Sequence, residues 1–157
     1  MQTQLSPSPL AIQAHEFRQI HLEVAESEDP QAPLSLDFSR EWGASESDPL
    51  DWMLELTVTF GGEKETDKVP YKGLIKAVGY FRIDEAYPEK NRDSLIRITG
   101  ASILYGACRE MLANLTARSS HGLVSLPSIS FIERPTKTTA PATTRKTATQ
   151  KRAKKTP

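Results

Sequence analysis

The residues of this 157-residue chain that could do acid–base or metal chemistry are few and are not grouped by their spacing. His15 and His21 lie six apart in one predicted strand and could share a face. However, no cysteine or carboxylate completes a metal set at the usual ligand spacing. We expect His121, next to Gly122 at a helix end, to bond to carbonyl oxygens. Cys108 lies in an apolar stripe without a base beside it, where a thiol behaves as a small hydrophobe.

Motifs that hold phosphate or expose a catalytic serine do not occur in the sequence. There is no GxSxG, P-loop or GxGxxG, and Gly61-Gly62 is predicted to be a hairpin turn. The acidic residues are numerous, but no pair of them stands apart from the general surface charge. We therefore predict that the protein is not an enzyme and that it has no metal and no cofactor.

The net charge of zero hides two regions of opposite charge. Residues 134–157 contain eight of the 20 Lys and Arg residues and none of the 20 acids, which leaves 12 bases and 20 acids in residues 1–133. The basic segment lacks aromatic and large aliphatic residues, so it is predicted to be a disordered tail. Such a tail attracts polyanions, whereas an acidic body favours solubility and repels nucleic acid.

Three features of the sequence predict a cytoplasmic protein. A single cysteine excludes an internal disulfide framework and favours a reducing compartment. No segment approaches the roughly 20 apolar residues of a membrane span. The first ten residues, MQTQLSPSPL, have neither a basic region nor an apolar run, so they are not expected to be a secretory signal.

Four segments alternate apolar and polar residues in the way typical of β-strands. The alternation is clearest in DWMLELTVTF, residues 51–60. The other predicted strands are residues 12–25, with a bulge near Glu16, residues 34–42 and residues 71–84.

Residues 98–131 predict a helix and a short extended return from it. Thr99 is expected to be the N-cap, and Gly122 to take the left-handed conformation that ends a helix. The apolar side of this helix is expected to consist of residues at spacings of four, three and four, which are Leu104, Cys108, Met111 and Leu115.

Four strands followed by one helix predict an α+β fold, an antiparallel meander with the helix on one face. One domain spans residues 10–133, between a flexible leader at 1–9 and the disordered tail. Because one helix cannot cover four strands, apolar residues should remain on the uncovered face, and these are Met53, Leu74, Tyr80 and Phe17. They indicate oligomer contacts or an apolar groove, although scattered surface apolars on an ordinary sheet are equally compatible with the pattern.

Three segments of the chain resemble SecB, the cytosolic protein-export chaperone. The resemblance covers residues 12–131 and is strongest in DWMLELTVTFGGEKE, YKGLIKAVGYFRI and ILYGACREMLANLTARSSHGLVSLPSISF. The matching pieces, in order, are Ile103-Leu104-Tyr105, Gly106-Ala107, Arg109-Glu110, Arg118 through Gly122, and Leu126 through Phe131.

This resemblance implies a homotetramer, a dimer of dimers with its helices between two four-stranded sheets. Leu104, Cys108, Met111 and Leu115 would then belong to the oligomer helix. It also implies an ATP-independent holdase that binds unfolded polypeptides in long apolar grooves and keeps them competent for export. The candidate groove residues, for which core packing is the alternative role, are Phe38, Trp42, Trp52, Tyr71 and Leu126.

The sequence departs from the family pattern in three places. Gly106-Ala107-Cys108 replaces a stretch that usually contains proline, and the basic extension replaces the second C-terminal helix. Of the acids that dock the SecA motor in the family only Glu23 remains, since Gln19 and Leu74 occupy acidic positions. A SecB-like chaperone dedicated to one client, such as the antitoxin of a toxin–antitoxin system, is therefore an alternative. A second alternative is a polyanion-binding scaffold that acts through the tail.

Overall fold

Four antiparallel strands form a single sheet in a computed structural model that describes residues 6–26, 29–64 and 66–133. The strands are β1 (Leu10–Val24), β2 (Ser35–Ala44), β3 (Asp51–Gly61) and β4 (Tyr71–Ile83). The four predicted strands are therefore confirmed, with ends that agree to within two residues. The predicted tail and most of the predicted leader lie outside the described residues.

The order of the strands across the sheet is β1-β4-β3-β2, so the predicted meander is wrong for the first strand. Strands β2, β3 and β4 follow one another as hairpins, whereas β1 pairs with β4 and not with β2. The segment between β1 and β2 contains Pro30 and Pro33 and is too long for a tight hairpin turn. It passes from one edge of the sheet to the other.

Register shifts between Ile12 and Ala14 and between Phe17 and Gln19 break the alternation of β1. They confirm the bulge predicted near Glu16, because a bulge inserts an extra residue into one strand of a pair. The expectation that His15 and His21 share a face is wrong. His15 lies opposite Gly79 and His21 opposite Leu74, which are five residues apart in β4 and therefore on opposite faces of the sheet.

One long helix follows the sheet and begins ten residues before the predicted N-cap. It consists of α1 (Glu89–Leu95), a π-helical turn (Ile96–Gly100) and α2 (Ala101–Thr116). The backbone stays right-handed helical at both junctions, so the three parts form one continuous rod. Thr99 lies inside the π-helical turn and is not an N-cap. Pro88 precedes the first helical residue instead.

The helix covers only one face of the sheet, which we call the helix face; the opposite one is the outer face. On the helix face, Leu54 and Leu56 of β3 and Ile75 and Phe81 of β4 are fully buried. The side of α2 that packs against them consists of Ala101, Leu104, Tyr105, Cys108, Leu112 and Thr116. This set is a continuous stripe at the spacing of one helix turn.

Strand β1 receives little cover from the helix. On the helix face of this strand Ile12, Ile20 and Val24 are exposed by 42%, 42% and 43%. Leu10 of the same strand is buried, and Phe17 and Leu22 are partly buried against the core, so the prediction that Phe17 faces away from the helix is wrong. The strand is also an edge of the sheet, with one side of its backbone unpaired within the described chain. The subunit thus leaves an apolar edge uncovered.

Candidate binding groove

A groove of about 370 Å³ opens between the β1–β2 connection and the segment that returns from α2. We call residues 123–133 the return segment. Gln31 and Ser125 line the groove together with apolar residues, which are Pro30, Ala32, Pro33, Leu34, Leu36, Leu123, Val124, Leu126 and Pro127. Pro33 and Pro127 have no backbone N–H, so at these two positions the wall offers no backbone donor to a ligand.

Side chains of α2 hold the return segment in place. The hydroxyl of Tyr105 donates to the carbonyl oxygen of Pro127 at 2.7 Å, and Nε of Arg109 donates to that of Leu126 at 2.8 Å. The backbone N–H of Val124 donates to Oγ1 of Thr116 at 2.9 Å. Within the described chain, no backbone–backbone hydrogen bond involves residues 123–133. The backbone groups of this segment that side chains do not bind are therefore available to an extended ligand.

Two contacts of the residues just before the return segment, His121 and Gly122, fix where it starts. The hydroxyl of Tyr71 donates to the carbonyl oxygen of Gly122 at 2.6 Å, and Nε2 of His121 lies 2.6 Å from the carbonyl oxygen of Ala25. Gly122 has a φ of +77°, as predicted for the residue that ends the helical segment. The expectation that His121 bonds to a carbonyl oxygen is confirmed.

The five predicted groove residues do not lie in one place. Leu126 lines the groove, although it is only 2% exposed. Tyr71 is fully buried beneath the turn at Gly122. Trp52 lines a separate cavity of about 470 Å³ near the other end of the sheet, beside Met53 and Tyr80.

Phe38 and Trp42 lie further along β2 and also outside the groove. Phe38 is half-buried in a cluster with Tyr105 and Phe131, in which the three rings meet edge to face at 5.6–6.1 Å between centroids. Nε1 of Trp42 donates to Oδ1 of Asp93 at 2.8 Å. Phe38 thus connects β2 to α2 and the return segment, and Trp42 connects β2 to α1.

The groove residues that the sequence did not indicate are Leu34, Leu36, Leu123 and Val124. Leu34 and Leu36 were assigned to a strand, and Leu123 and Val124 carried no periodic signal. Leu123 is the most exposed of them at 62%, a large apolar side chain that the described chain leaves open. Leu123 lies beside Leu34 and Leu36, which are 89 and 87 residues away in sequence, and its exposed side chain defines the groove.

The four residues predicted for the oligomer helix have different environments. Leu104 and Cys108 are fully buried against the sheet of their own subunit. Met111 and Leu115 are half-buried beside that stripe and keep part of their surface. Burial raises the pKa of the Cys108 thiol to about 12, so the thiol stays protonated and packs as an apolar group.

The outer face carries both signs of charge. Arg18 lies 3.1 Å from Oε1 of Glu16 and 3.8 Å from Oε2 of Glu55, and Nζ of Lys76 lies 3.0 Å from Oε1 of Glu55. Glu23 is exposed on the same face, opposite Lys72 of β4. Acids on this face are thus accompanied by bases.

Among the described residues, no group of three or more His, Cys, Asp or Glu side chains could hold a metal ion. Within the same residues no helix is long and apolar enough to cross a membrane.

A four-stranded antiparallel sheet with one long helix on one face is the fold of the SecB-like chaperones. The solved structure of the SecB-like chaperone from Mycobacterium tuberculosis, in complex with a ChAD peptide from the HigA1 antitoxin, matches this chain with a TM-score of 0.58. The two sequences are 16% identical over 78% of this chain and 91% of that one. The similarity predicted from the sequence is therefore confirmed as a similarity of fold.

A second solved structure, a protein of unknown function from Streptococcus agalactiae, matches with a TM-score of 0.44. It is 10% identical over 76% of this chain and 97% of its own. No protein-family model matches the sequence, and no curated protein matches it.

Proposed function

We propose that this protein is an ATP-independent holdase of the SecB type, which binds unfolded polypeptides in the groove beside Leu123. The observation that carries the proposal is the groove with the exposed side chain of Leu123, on a fold shared with a chaperone. Each apolar client side chain that it buries contributes about 1.5–3 kcal/mol. A protein that binds the unfolded state but not the native one slows folding and aggregation by mass action.

We also propose that copies of the chain associate, as a homotetramer in the cytoplasm. The support is the uncovered edge at β1, where Ile12, Ile20 and Val24 remain exposed on the helix face. A second copy that covers this edge would remove apolar surface from water and place several grooves on one particle. Linked grooves then bind one long client with a raised effective concentration. Native mass spectrometry tests this assembly, and a monodisperse monomer would contradict it.

The holdase activity is tested by adding the protein to a model client that is diluted from urea, and by following light scattering. The wild-type protein should suppress aggregation at about equimolar subunit concentration. Leu123→Ser should weaken the suppression because it removes an exposed apolar group from the groove. The matched control is Ile132→Ser, since Ile132 is also 62% exposed but does not line the groove. Equal aggregation with and without the wild-type protein would refute the proposal.

A dedicated client is the second candidate, in which the protein serves one partner such as an antitoxin. It is favoured by the outer face, where Glu16 and Glu55 pair with Arg18 and Lys76. Because Glu23 lies opposite Lys72, the acids of this face are poorly placed to dock the SecA motor. Export with SecA requires direct binding of the motor. Co-sedimentation with purified SecA separates the two cases, since a dedicated chaperone should not bind it.

The basic segment 134–157 supports a further role as a polyanion-binding extension. It holds eight Lys and Arg residues and no acid, so its binding to DNA should weaken steeply with salt. A chain that ends at Glu133 should keep holdase activity and lose DNA binding. If the truncated chain loses client binding instead, the groove is not the client site.

A further inference from the structure

Two half-buried arginines converge on one carboxylate oxygen at the end of the return segment. Nη1 of Arg97 lies 2.6 Å, and Nη2 of Arg40 3.3 Å, from Oε1 of Glu133. The arginine side chains are 21% and 19% exposed, whereas that of Glu133 is 65% exposed. The two arginine side chains are therefore largely buried in the domain, whereas the side chain of Glu133 lies on its surface.

Both guanidinium groups have contacts besides Glu133. Nη1 of Arg40 donates to the carbonyl oxygen of Arg97 at 2.9 Å. The same guanidinium lies 5.9 Å from the ring centroid of Trp42 and 5.2 Å from that of Phe131. Nε of Arg97 lies 3.8 Å from Oδ2 of Asp93. Arginines that are fixed and partly removed from water form a preorganised site for a carboxylate.

Glu133 is a weakly held occupant of this site. Only its Oε1 takes part in the ion pairs of the described chain, and most of its side chain faces solvent. Exposed ion pairs of this kind contribute little to stability, so exchange for another carboxylate has a small cost.

Arg40 of this pair lies on the same strand and the same face as a residue that lines the groove, and Arg97 lies beside it in the π-helical turn. Leu36 lines the groove. Every second residue of β2 lies on the helix face, and these residues include Leu36, Phe38 and Arg40. Leu36 and Arg40 are four residues apart, which corresponds to about 13 Å along a strand. An extended client that fills the groove would therefore reach the arginines with a residue about four positions from its apolar anchor.

We propose that Arg40 and Arg97 form a carboxylate-binding site for an acidic side chain of the client, and that Glu133 occupies this site when no client is bound. The inference rests on the proposed holdase function and deepens it. The preferred client segment is apolar with an Asp or Glu about four residues from its anchor. Glu133 then acts as an internal competitor that lowers the affinity for such segments.

The test uses two fluorescent peptides with blocked ends, so that side chains supply their only carboxylates. Each has two central leucines in an extended, β-branched sequence. The first has a glutamate four positions before the leucine pair and another four positions after it, because the direction of binding is not assumed. The second has glutamine at both places. Their affinities for the full-length protein are measured by anisotropy.

Glu133→Gln should bind the glutamate peptide about fivefold more tightly than the glutamine peptide, the discrimination expected for one partly exposed ion pair. The wild-type protein should show a smaller difference in affinity between the two peptides, because Glu133 competes with the peptide glutamate for Arg40 and Arg97. Adding Arg97→Gln to Glu133→Gln should abolish the preference. Arg18→Gln in the same background is the matched control and should leave it unchanged, since Arg18 pairs with Glu16 and Glu55 on the outer face.

Equal affinity of Glu133→Gln for both peptides would overturn the carboxylate site and leave the holdase proposal intact. A preference that survives Arg97→Gln would also overturn it, because the carboxylate would then be bound elsewhere. If neither peptide binds any variant, the proposed groove fails together with the inference. Circular dichroism of each variant shows that a lost preference does not reflect a lost fold.

Discussion

The phenol oxygen of Tyr105 in α2 lies 2.7 Å from the carbonyl oxygen of Pro127 and donates a hydrogen bond to it. This bond ties a buried helix residue to a segment that has no backbone–backbone hydrogen bond in the described chain. Burial raises the pKa of the phenol, so Tyr105 remains a donor throughout the neutral range. The position of one groove wall therefore depends on a side chain from the core.

Tyr105→Phe should loosen the return segment while the aromatic cluster with Phe38 and Phe131 keeps its rings. Loss of one such bond costs about 0.5–1.5 kcal/mol, measurable as a lower midpoint in urea. Amide hydrogen exchange should accelerate in residues 123–133. Tyr80→Phe is the matched control, because the Tyr80 hydroxyl meets Arg18 on the exposed outer face. If Tyr105→Phe and Tyr80→Phe lower the urea midpoint equally, the hydrogen bond from Tyr105 to Pro127 does not hold the return segment in place.

Gly79 is a position at which the helix and the sheet approach closely. A Cβ at Gly79 would lie 2.6 Å from the ring of Phe81 and 2.9 Å from Cδ2 of Leu104. Gly79→Ala should therefore destabilise the protein by about 1–3 kcal/mol through overpacking, and urea unfolding measures the loss.

Gly106 in α2 provides the opposite control. Outside the chain neighbours and the adjacent backbone of α2 itself, no atom lies within 4 Å of a Cβ built there, and the residue is exposed. Gly106→Ala should stabilise the helix by up to about 1 kcal/mol. A Gly79→Ala variant as stable as Gly106→Ala would show that the helix does not pack on the sheet as described.

The strands could be predicted from sequence because their side chains alternate between core and solvent, as Trp52 through Phe60 do. The start of the helix could not be predicted from the sequence, because α1 buries no residue and its charged sequence has no apolar periodicity. The apolar stripe was predicted only in part. The second half of the buried side uses Leu112 and Thr116, whereas Met111 and Leu115 flank it.

The groove was beyond prediction for a different reason. Its walls come from Leu34 and Leu36 at one end of the domain and Leu123 and Val124 at the other, and neither pair has a pattern that marks a binding site. Only the crossing of the β1–β2 connection to the far edge of the sheet brings them together. That crossing is the feature that the predicted meander did not contain.

Asp48 gives the stability of the protein a dependence on acidic pH. The backbone N–H of Leu50 and the guanidinium of Arg82 both donate to its carboxylate, at 2.9 and 3.0 Å, and they lower its pKa. A carboxylate with a lowered folded-state pKa adds stability above its ordinary pKa of about 4. This contribution is lost as the pH falls through the folded-state value.

Asp48→Asn should therefore flatten the decline of the unfolding free energy between about pH 5 and pH 2. Asparagine keeps the acceptor for the Leu50 N–H and removes the titrating group. Asp37→Asn is the control, because its carboxylate bonds to the N–H of Phe38 and has no described ion pair. An identical acid profile for wild type and Asp48→Asn would contradict the assignment.

Cys108 reports on the closure of the core. It is fully buried between α2 and the sheet, and burial raises the pKa of its thiol to about 12. Because only the thiolate reacts with iodoacetamide, alkylation at pH 8 should be slow in the folded protein and fast in concentrated urea. The dependence of the rate on urea should follow global unfolding. Rapid alkylation without urea would show that α2 separates from the sheet in the native state.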